Sequence, residues 1–225
     1  MKSPRDDHEG RACGIGGFPV GSGPATLFGS AVYERFEFEG PSRLVAAPEY
    51  FGGDLEVEFE GVRGGVHFDG WSAEGRVGRV ELGDDFIDAS GVSGGLAAGC
   101  RVARLDRVAL GISANVEIAS LDVPISAGRL DVEWVQSDLR FGGAFEPRYD
   151  VLYYVAPYAG VGCRYFDGVQ RTDSLGFSEI DAWLPFAFFG VELAYRPSNF
   201  AQLSLGVEAL VGDLQGGAVS LILTF

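Results

Sequence analysis

Gly217-Ala218-Val219-Ser220-Leu221-Ile222-Leu223-Thr224-Phe225 ends the chain and decides the predicted fold. Large apolar residues alternate along this stretch, namely Val219, Leu221, Leu223 and Phe225. The smaller or polar Ala218, Ser220 and Thr224 lie on the opposite face. A period of two indicates a β-strand with one apolar face. The last strand must pair with a neighbour on each side, or one of its edges stays unpaired. A closed barrel provides both neighbours.

The same alternation recurs in four earlier segments, 108–118, 151–165, 189–196 and 203–211. Each is about as long as the 9–11 residues of a tilted membrane strand, or slightly longer. No run approaches the roughly 18 apolar residues of a membrane helix, so any crossing must be by strands. We therefore expect the apolar residues to face lipid and the small or charged residues to face the lumen.

Connections of two lengths are predicted between these strands, as in membrane barrels with tight turns at one rim and longer loops at the other. The short ones lie near Asp106, at 146–150 and at 196–199, and the long ones at 83–94, 122–129 and 166–182, with 213–216 as a short member of the long set. If the last strand runs inward, the short turns are periplasmic and the long loops external.

Aromatic residues mark both ends of two predicted strands. Tyr153 and Tyr165 share one face, and so do Trp183 and Tyr195. Twelve residues at ~3.3 Å each, tilted by about 40°, span roughly 30 Å, close to an apolar band flanked by aromatic girdles. Pro157 and Pro185 lack the N–H of a ladder, so these strands are expected to begin after each proline.

The fold class is therefore all-β, a closed antiparallel up-and-down transmembrane barrel. Segments 71–82, 95–105 and 130–145 complete a preferred count of eight strands, and a change of phase near Gln136 suggests a β-bulge. Residues 33–39 and 55–60 also alternate. They supply either two further strands, giving ten, or an N-terminal extension.

One domain accounts for the 225 residues. The Gly/Pro-rich residues 1–30 are expected to be flexible and residues 31–225 to form the barrel, with 71–225 as the best-supported part. Residues 1–9 are too acidic for the start of a signal peptide, and glycine and proline interrupt the stretch 14–31 that follows. Either the start is truncated or miscalled, which leaves the true N-terminus open, or the protein is not exported. The 34 glycines, about twice the usual ~7%, are expected to make room for large neighbours in a narrow barrel.

Charged residues of both signs occupy predicted lumen positions, and these are Glu117, Arg140, Arg164, Glu192, Arg196 and Glu208. They predict either a salt-bridged filling or a charged constriction that selects small solutes. An eight-stranded barrel is wide enough only for its own side chains, which favours the filling. Replacing Glu208 or Arg164 by Ala is then expected to cost stability without altering conductance.

Catalytic and metal-binding patterns are weak, so we expect no enzyme, no cofactor and no metal. Cys13, Cys100 and Cys163 are widely spaced and form no metal or redox motif. His67 is followed by Asp69, with Ser72 nearby, a spacing that arises easily by chance. Four acids in 166–182 are a weak calcium alternative, namely Asp167, Asp173, Glu179 and Asp181. The net charge of −15 argues against nucleic-acid binding.

The final strand resembles the C-terminal strand of bacterial outer-membrane proteins, and the chain as a whole resembles small OmpA/OmpX-type barrels of the porin-like superfamily. The resemblance implies location in a Gram-negative outer membrane, contact with its lipid, and a structural or surface-interaction role for external loops that bind an extracellular ligand. It also implies that Val219, Leu221, Leu223 and Phe225 form the signal read by the barrel-assembly machinery. Two alternatives remain, a narrow small-solute channel and a soluble lipocalin-like barrel that binds an apolar ligand with Leu110, Val191 and Leu221 inside.

Overall fold

Ten strands in the described part of the chain pair edge to edge and close into an antiparallel barrel. A computed structural model describes residues 12–13, 19–20, 25–39, 54–83, 88–125, 128–145, 152–172, 176–198 and 201–225. Among these residues, no helix is long and apolar enough to cross a membrane.

Two short strands precede the barrel and pair with each other, β1 (Ala12–Cys13) and β2 (Pro19–Val20). The barrel strands are β3 (Thr26–Glu39), β4 (Asp54–Phe68), β5 (Trp71–Gly83), β6 (Asp88–Leu105), β7 (Val108–Ile125), β8 (Gly128–Phe145), β9 (Tyr153–Thr172), β10 (Gly176–Ser198), β11 (Ala201–Gly212) and β12 (Leu214–Thr224). Each pairs with its sequence neighbours, and β12 pairs with β3 to close the barrel. The up-and-down topology is confirmed. The preference for eight strands is wrong, because β3 and β4 are full members of the barrel.

The connection between β4 and β5 is a two-residue turn that consists of Asp69 and Gly70. Both residues have positive φ, 39° and 79°. Two successive positive φ values define a hairpin turn whose twist matches that of the flanking strands, and Asp-Gly is among the sequences that favour it. The turn fixes the register in which Phe68 pairs with Trp71.

The predicted loops are shorter than expected because the strands continue into them. β6 already begins at Asp88, β9 continues to Thr172, and β10 begins at Gly176. Segments 83–94 and 166–182 are therefore largely paired strand. In the 122–129 segment, β7 ends at Ile125 and β8 begins at Gly128.

Pro157 and Pro185 lie inside β9 and β10, so the expectation that these strands begin after each proline is wrong. Each proline lies one residue beyond the end of a neighbouring ladder. The β8–β9 pairs end at Tyr158 and the β10–β11 pairs at Phe186. The carbonyl of Pro185 still accepts a hydrogen bond from the amide of Asp213 at 3.1 Å. A missing N–H is tolerated where no partner strand continues.

Along strand β4 the apolar residues change from the inner to the outer face of the barrel, while successive side chains keep alternating between the two faces. In its first part Leu55, Val57 and Phe59 are buried inside the barrel, and the glutamates between them point outward. After Glu60 the outward positions become apolar, as Val62 (57% exposed) shows, and Arg63 is buried inside. No register shift occurs in either ladder of β4. The environment of the outer wall therefore changes along the strand, not the direction of the side chains.

Strand β8 reverses in the same way. Val132 and Trp134 are buried inside, whereas Leu139 and Phe141 are exposed on the outside. The predicted β-bulge near Gln136 is wrong, since both ladders of β8 pass this residue without a shift. The apparent change of phase is the point at which the apolar residues move from the inner to the outer face.

These reversals divide the barrel into two sections. In the membrane section the outer wall is apolar, as Leu221 (51% exposed) illustrates, and this orientation excludes a lipocalin-like barrel for that part of the chain. In the upper section, near the β3–β4, β5–β6, β7–β8 and β9–β10 connections, the outer wall is polar. Its outward residues include Arg35, Glu37, Glu58, Glu60, Arg79, Ser90, Ser120, Glu133 and Asp167. The upper section thus has the patterning of a water-soluble barrel, with an apolar interior.

Aromatic pairs mark both ends of the membrane section on β9 and β10. Tyr153 and Tyr195 pair across the two strands at one end, with ring centroids 4.9 Å apart. Tyr165 and Trp183 pair at the other end, at 4.6 Å. These are the positions predicted for the two girdles, which in membrane barrels lie at the two lipid–water interfaces.

Candidate functional site

The centre of the lumen holds a buried network of ion pairs. Arg164 has no exposed surface, and its Nε and Nη2 donate to the Asp138 carboxylate at 2.5 and 2.8 Å. Its Nη2 also donates to Glu34 at 3.1 Å. The guanidinium lies over the ring of Phe36, 4.4 Å from its centroid. One arginine therefore ties strands β3, β8 and β9 together.

A second arginine extends the network toward β5 and β7. Arg76 donates to Glu34 at 3.2 Å and forms an ion pair with Glu117. Glu117 also accepts hydrogen bonds from Ser93 at 2.6 Å and from Gln136 at 2.7 Å. A buried carboxylate needs such partners, because desolvating an unpaired charge is costly.

Arg140 links the network to β11. Its Nη1 donates to Glu208 at 2.8 Å, and its Nη2 lies 3.5 Å from Asp138. A separate pair, Arg63 and Glu74, lies 3.7 Å apart on the neighbouring strands β4 and β5. A small cavity of about 50 Å³ lies among these groups. At ~30 Å³ for each water molecule, it has room for one or two rather than for a continuous aqueous path.

Four of the six predicted lumen charges join this network, namely Glu117, Arg140, Arg164 and Glu208. Glu192 is buried elsewhere in the lumen and accepts a hydrogen bond from Gln202 at 3.3 Å. Arg196 is half-buried near the end of β10, where its amide donates to the carbonyl of Leu152. The two roles predicted for these six charges, a salt-bridged filling and a charged constriction, stay predictions.

Sequence reasoning missed Glu34, Arg76 and Asp138, which complete the network. Glu34 lies on a strand whose membership of the barrel was left open. Arg76 lies on β5, where the charged outward residue Arg79 interrupts the apolar alternation of the strand. Asp138 follows Gln136, near which a β-bulge was predicted. Continuous alternation through each strand would have placed all three inward.

An aromatic cluster fills the lumen of the upper section. The ring of Phe166 lies 4.9 Å from Phe38, 6.1 Å from Phe36 and 6.5 Å from Trp134. Leu121 and Leu214 are buried in the same apolar core. In the described strands, buried apolar side chains thus occupy the lumen above the charge network.

His67 and Ser72 lie on a directly opposed pair of residues in β4 and β5. The imidazole packs against Phe28 at 4.6 Å. Within the described residues its two nitrogens have no hydrogen-bond partner, and Asp69 lies exposed in the turn. The arrangement lacks the His–carboxylate bond that nucleophilic catalysis uses. The expectation that the protein is not an enzyme stays a prediction.

Within the described ranges, no group of three or more His, Cys, Asp or Glu side chains is placed to hold a metal ion. Asp173, one of the four acids of the calcium alternative, lies outside the described residues. Cys100 and Cys163 are free thiols, and the side chain of Cys13 is not described.

The residues of the predicted assembly signal all point outward, three on β12 and Phe225 directly after it. Their exposed fractions lie between 42% and 57%, and they are Val219, Leu221, Leu223 and Phe225. β12 is paired on both sides, with β11 and with β3. In the finished barrel these side chains belong to the lipid-facing wall, and their part in assembly stays a prediction.

Comparison with solved structures identifies bacterial outer-membrane barrels. The translocator domain of the autotransporter NalP from Neisseria meningitidis matches with a TM-score of 0.52 at 12% identity, covering 90% of this chain and 88% of that one. The β-domain of the Bordetella autotransporter BrkA matches with a TM-score of 0.51 at 11% identity, covering 90% and 99%. Ail of Yersinia pestis matches more weakly, at a TM-score of 0.43 and 11% identity, covering 89% and 98%.

No protein-family model matches the chain, and no curated protein matches its sequence. At these identities the first two structures establish the fold. Together with the apolar outer wall of the membrane section, they confirm the prediction of an outer-membrane β-barrel.

Proposed function

We propose that this outer-membrane barrel is a closed scaffold that holds a surface-interaction platform above the lipid. The observation that carries the proposal is the upper section, in which the strands continue beyond the apolar wall with charged residues outside and apolar residues inside. β9 and β10 remain paired from Tyr165–Trp183 to Thr172–Gly176. Seven residues at ~3.3 Å each, tilted by about 40°, rise on the order of 18 Å.

The filled lumen supports a structural role over transport. Ion pairs occupy its centre and an aromatic cluster its upper part, so a solute has no open route through the described strands. A channel needs a path through the lumen that water can fill, lined by polar groups or gated by a hydrophobic constriction. The narrow-channel alternative therefore lacks a supporting observation.

The proposed partners follow from the outer surface. The membrane section contacts lipid. The C-terminal strand would be recognised by the barrel-assembly machinery during insertion, through its alternating apolar residues. An extracellular ligand would bind the connections of the upper section and its acidic outer wall. This wall carries more glutamates than arginines, which is unsuited to nucleic acid.

An epitope tag at each rim tests the topology on which the proposal depends. One tag replaces residues 84–87, between β5 and β6 in the upper section, and the other is inserted in the Asp69–Gly70 turn. On intact cells, antibody is expected to bind the first tag, and to reach the second only after the outer membrane is permeabilised. Binding to the second tag on intact cells would mean that the acidic wall faces the periplasm, and the proposal would fail.

Planar-bilayer recording tests the closed lumen. The wild-type barrel and the Glu208→Ala and Arg164→Ala variants are expected to give no conductance steps, because the upper aromatic cluster is unchanged in all three. Refolding is verified beforehand by the difference in gel mobility between unboiled and boiled samples. Regular single-channel steps from the wild type would favour the channel alternative.

A further inference from the structure

The outer wall contains an apolar groove of about 370 Å³ at the lower end of the membrane section. It crosses β9 to β12. Its lining side chains include no charged group, and the outward ones are Tyr153, Val155, Leu193, Tyr195, Leu203, Leu205 and Leu221. Each of these is between 38% and 66% exposed.

The register of the strands builds the groove from two parallel rows. Leu193 pairs with Val155 on one side and Leu205 on the other, and Leu205 pairs with Leu221. One step lower, Tyr195 stacks on Tyr153, with ring planes 24° apart. The upper row is thus wholly aliphatic, and the two rings stand beside it at the edge of the apolar wall.

We propose that this groove is a binding site for one phospholipid, with an acyl chain along the aliphatic row and the headgroup region beside the two tyrosines. The groove is continuous with the lipid-facing wall, so hydrocarbon is the medium around it. Tyrosine rings favour this level of a membrane because the ring contacts acyl chains while the hydroxyl reaches the polar interface. The rings lie below the aliphatic row, near the lower ends of β9 and β10, where a glycerol backbone would lie.

The size of the groove fits a chain better than a protein partner. Its volume equals about a dozen water molecules at ~30 Å³ each, a space suited to part of one flexible chain. A stable contact between two copies would bury roughly 800 Å² on each partner and need a matching protrusion. Phospholipid is therefore the occupant we assign, and a second copy is an outcome that the test distinguishes.

Native mass spectrometry of barrels released from vesicles of phosphatidylethanolamine and phosphatidylglycerol tests the site. Leu205→Trp fills the groove with a larger apolar side chain, and Val161→Trp introduces the same side chain on the outer face of β9, away from the groove lining. The wild type and Val161→Trp are expected to retain one phospholipid, and Leu205→Trp to lose it.

Equal retention by all three proteins, or no retention by the wild type, would overturn the proposal. A dimer that Leu205→Trp abolishes would assign the groove to a second copy and overturn it as well. If Leu205→Trp fails to refold by gel mobility, Leu193→Phe fills the same groove with a smaller change. Because the vesicles are symmetric, the result does not depend on the membrane orientation proposed above.

Discussion

Arg164 and Asp138 face each other on neighbouring strands β9 and β8, and two hydrogen bonds of 2.5 and 2.8 Å join them deep in the lumen. A fork-to-fork pair of this kind is both directional and strong. Because Asp138 is also within 3.5 Å of Arg140, the pair lies at the centre of the ion-pair network. The two residues therefore tie β8 to β9, and Arg164 also reaches Glu34 on β3.

Asp138→Ala is expected to lower the free energy of unfolding by about 3–5 kcal/mol, because it leaves Arg164 buried without its main partner. Urea unfolding in lipid vesicles, followed by intrinsic fluorescence, measures the change. The matched control is Glu56→Ala on the outer wall, where Arg35 is half exposed and bonded at 2.6 Å. That exposed pair is expected to contribute about 0–1 kcal/mol. Equal effects of the two substitutions would show that burial adds nothing to the lumen pair.

Gly162→Ala is expected to destabilise the barrel by about 1–3 kcal/mol, the usual range for overpacking. A Cβ atom at this position would lie 2.5 Å from Cζ of Phe186, so the ring would have to move. Phe186→Leu in the same chain is expected to recover part of the loss, which a double-mutant cycle measures. Gly29→Ala serves as control, because its Cβ would meet no atom within 4 Å. Without coupling between 162 and 186, the proposed role of glycine in making room for large rings fails at this site.

The faces of β9 to β12 were predictable because those strands cross the membrane section with one consistent pattern. Leu203, Leu205 and Val207 alternate with buried polar partners, and the structure places them outward. The aromatic pairs at both ends of β9 and β10 followed from the same spacing. Where the outer medium is hydrocarbon along a whole strand, hydrophobicity alone reveals the direction of each side chain.

The upper section was not predictable by that rule, because its outer medium is different. Leu55 and Val132 look like the lipid-facing residues further along their strands, yet both are buried inside. Hydrophobicity reports which face avoids water, and that face changes from the outer wall to the lumen where the strand leaves the membrane. The strand count was misjudged for the same reason, and three members of the central network were missed, as Glu34 on β3 illustrates.

Val207→Arg tests the boundary between the two sections from the lipid side. Val207 lies outward near the middle of the apolar stretch of β11, and arginine there is expected to cost about 2–4 kcal/mol. Ser120→Arg places the same side chain on the outer wall of the upper section, opposite Glu133 on β8. It is expected to change stability by less than about 1 kcal/mol. Unfolding in vesicles measures both, and a large cost at 120 would place that residue in the hydrocarbon.

Substitutions of Phe225 and Ile222 at the C-terminal end distinguish an effect on assembly in cells from an effect on the stability of the folded barrel. Ile222 has no exposed surface, so Ile222→Ala is expected to cost about 2–5 kcal/mol in refolded barrels. Phe225 is 57% exposed and its amide bonds to the carbonyl of Leu27 at 2.9 Å, a contact that Phe225→Ala preserves. This second variant is expected to refold in detergent with a smaller loss of stability, yet to accumulate unassembled in cells if the terminal ring is the recognised feature. Gel mobility of unboiled cell samples over time measures assembly, and wild-type assembly kinetics for Phe225→Ala would contradict a role for Phe225 in the signal.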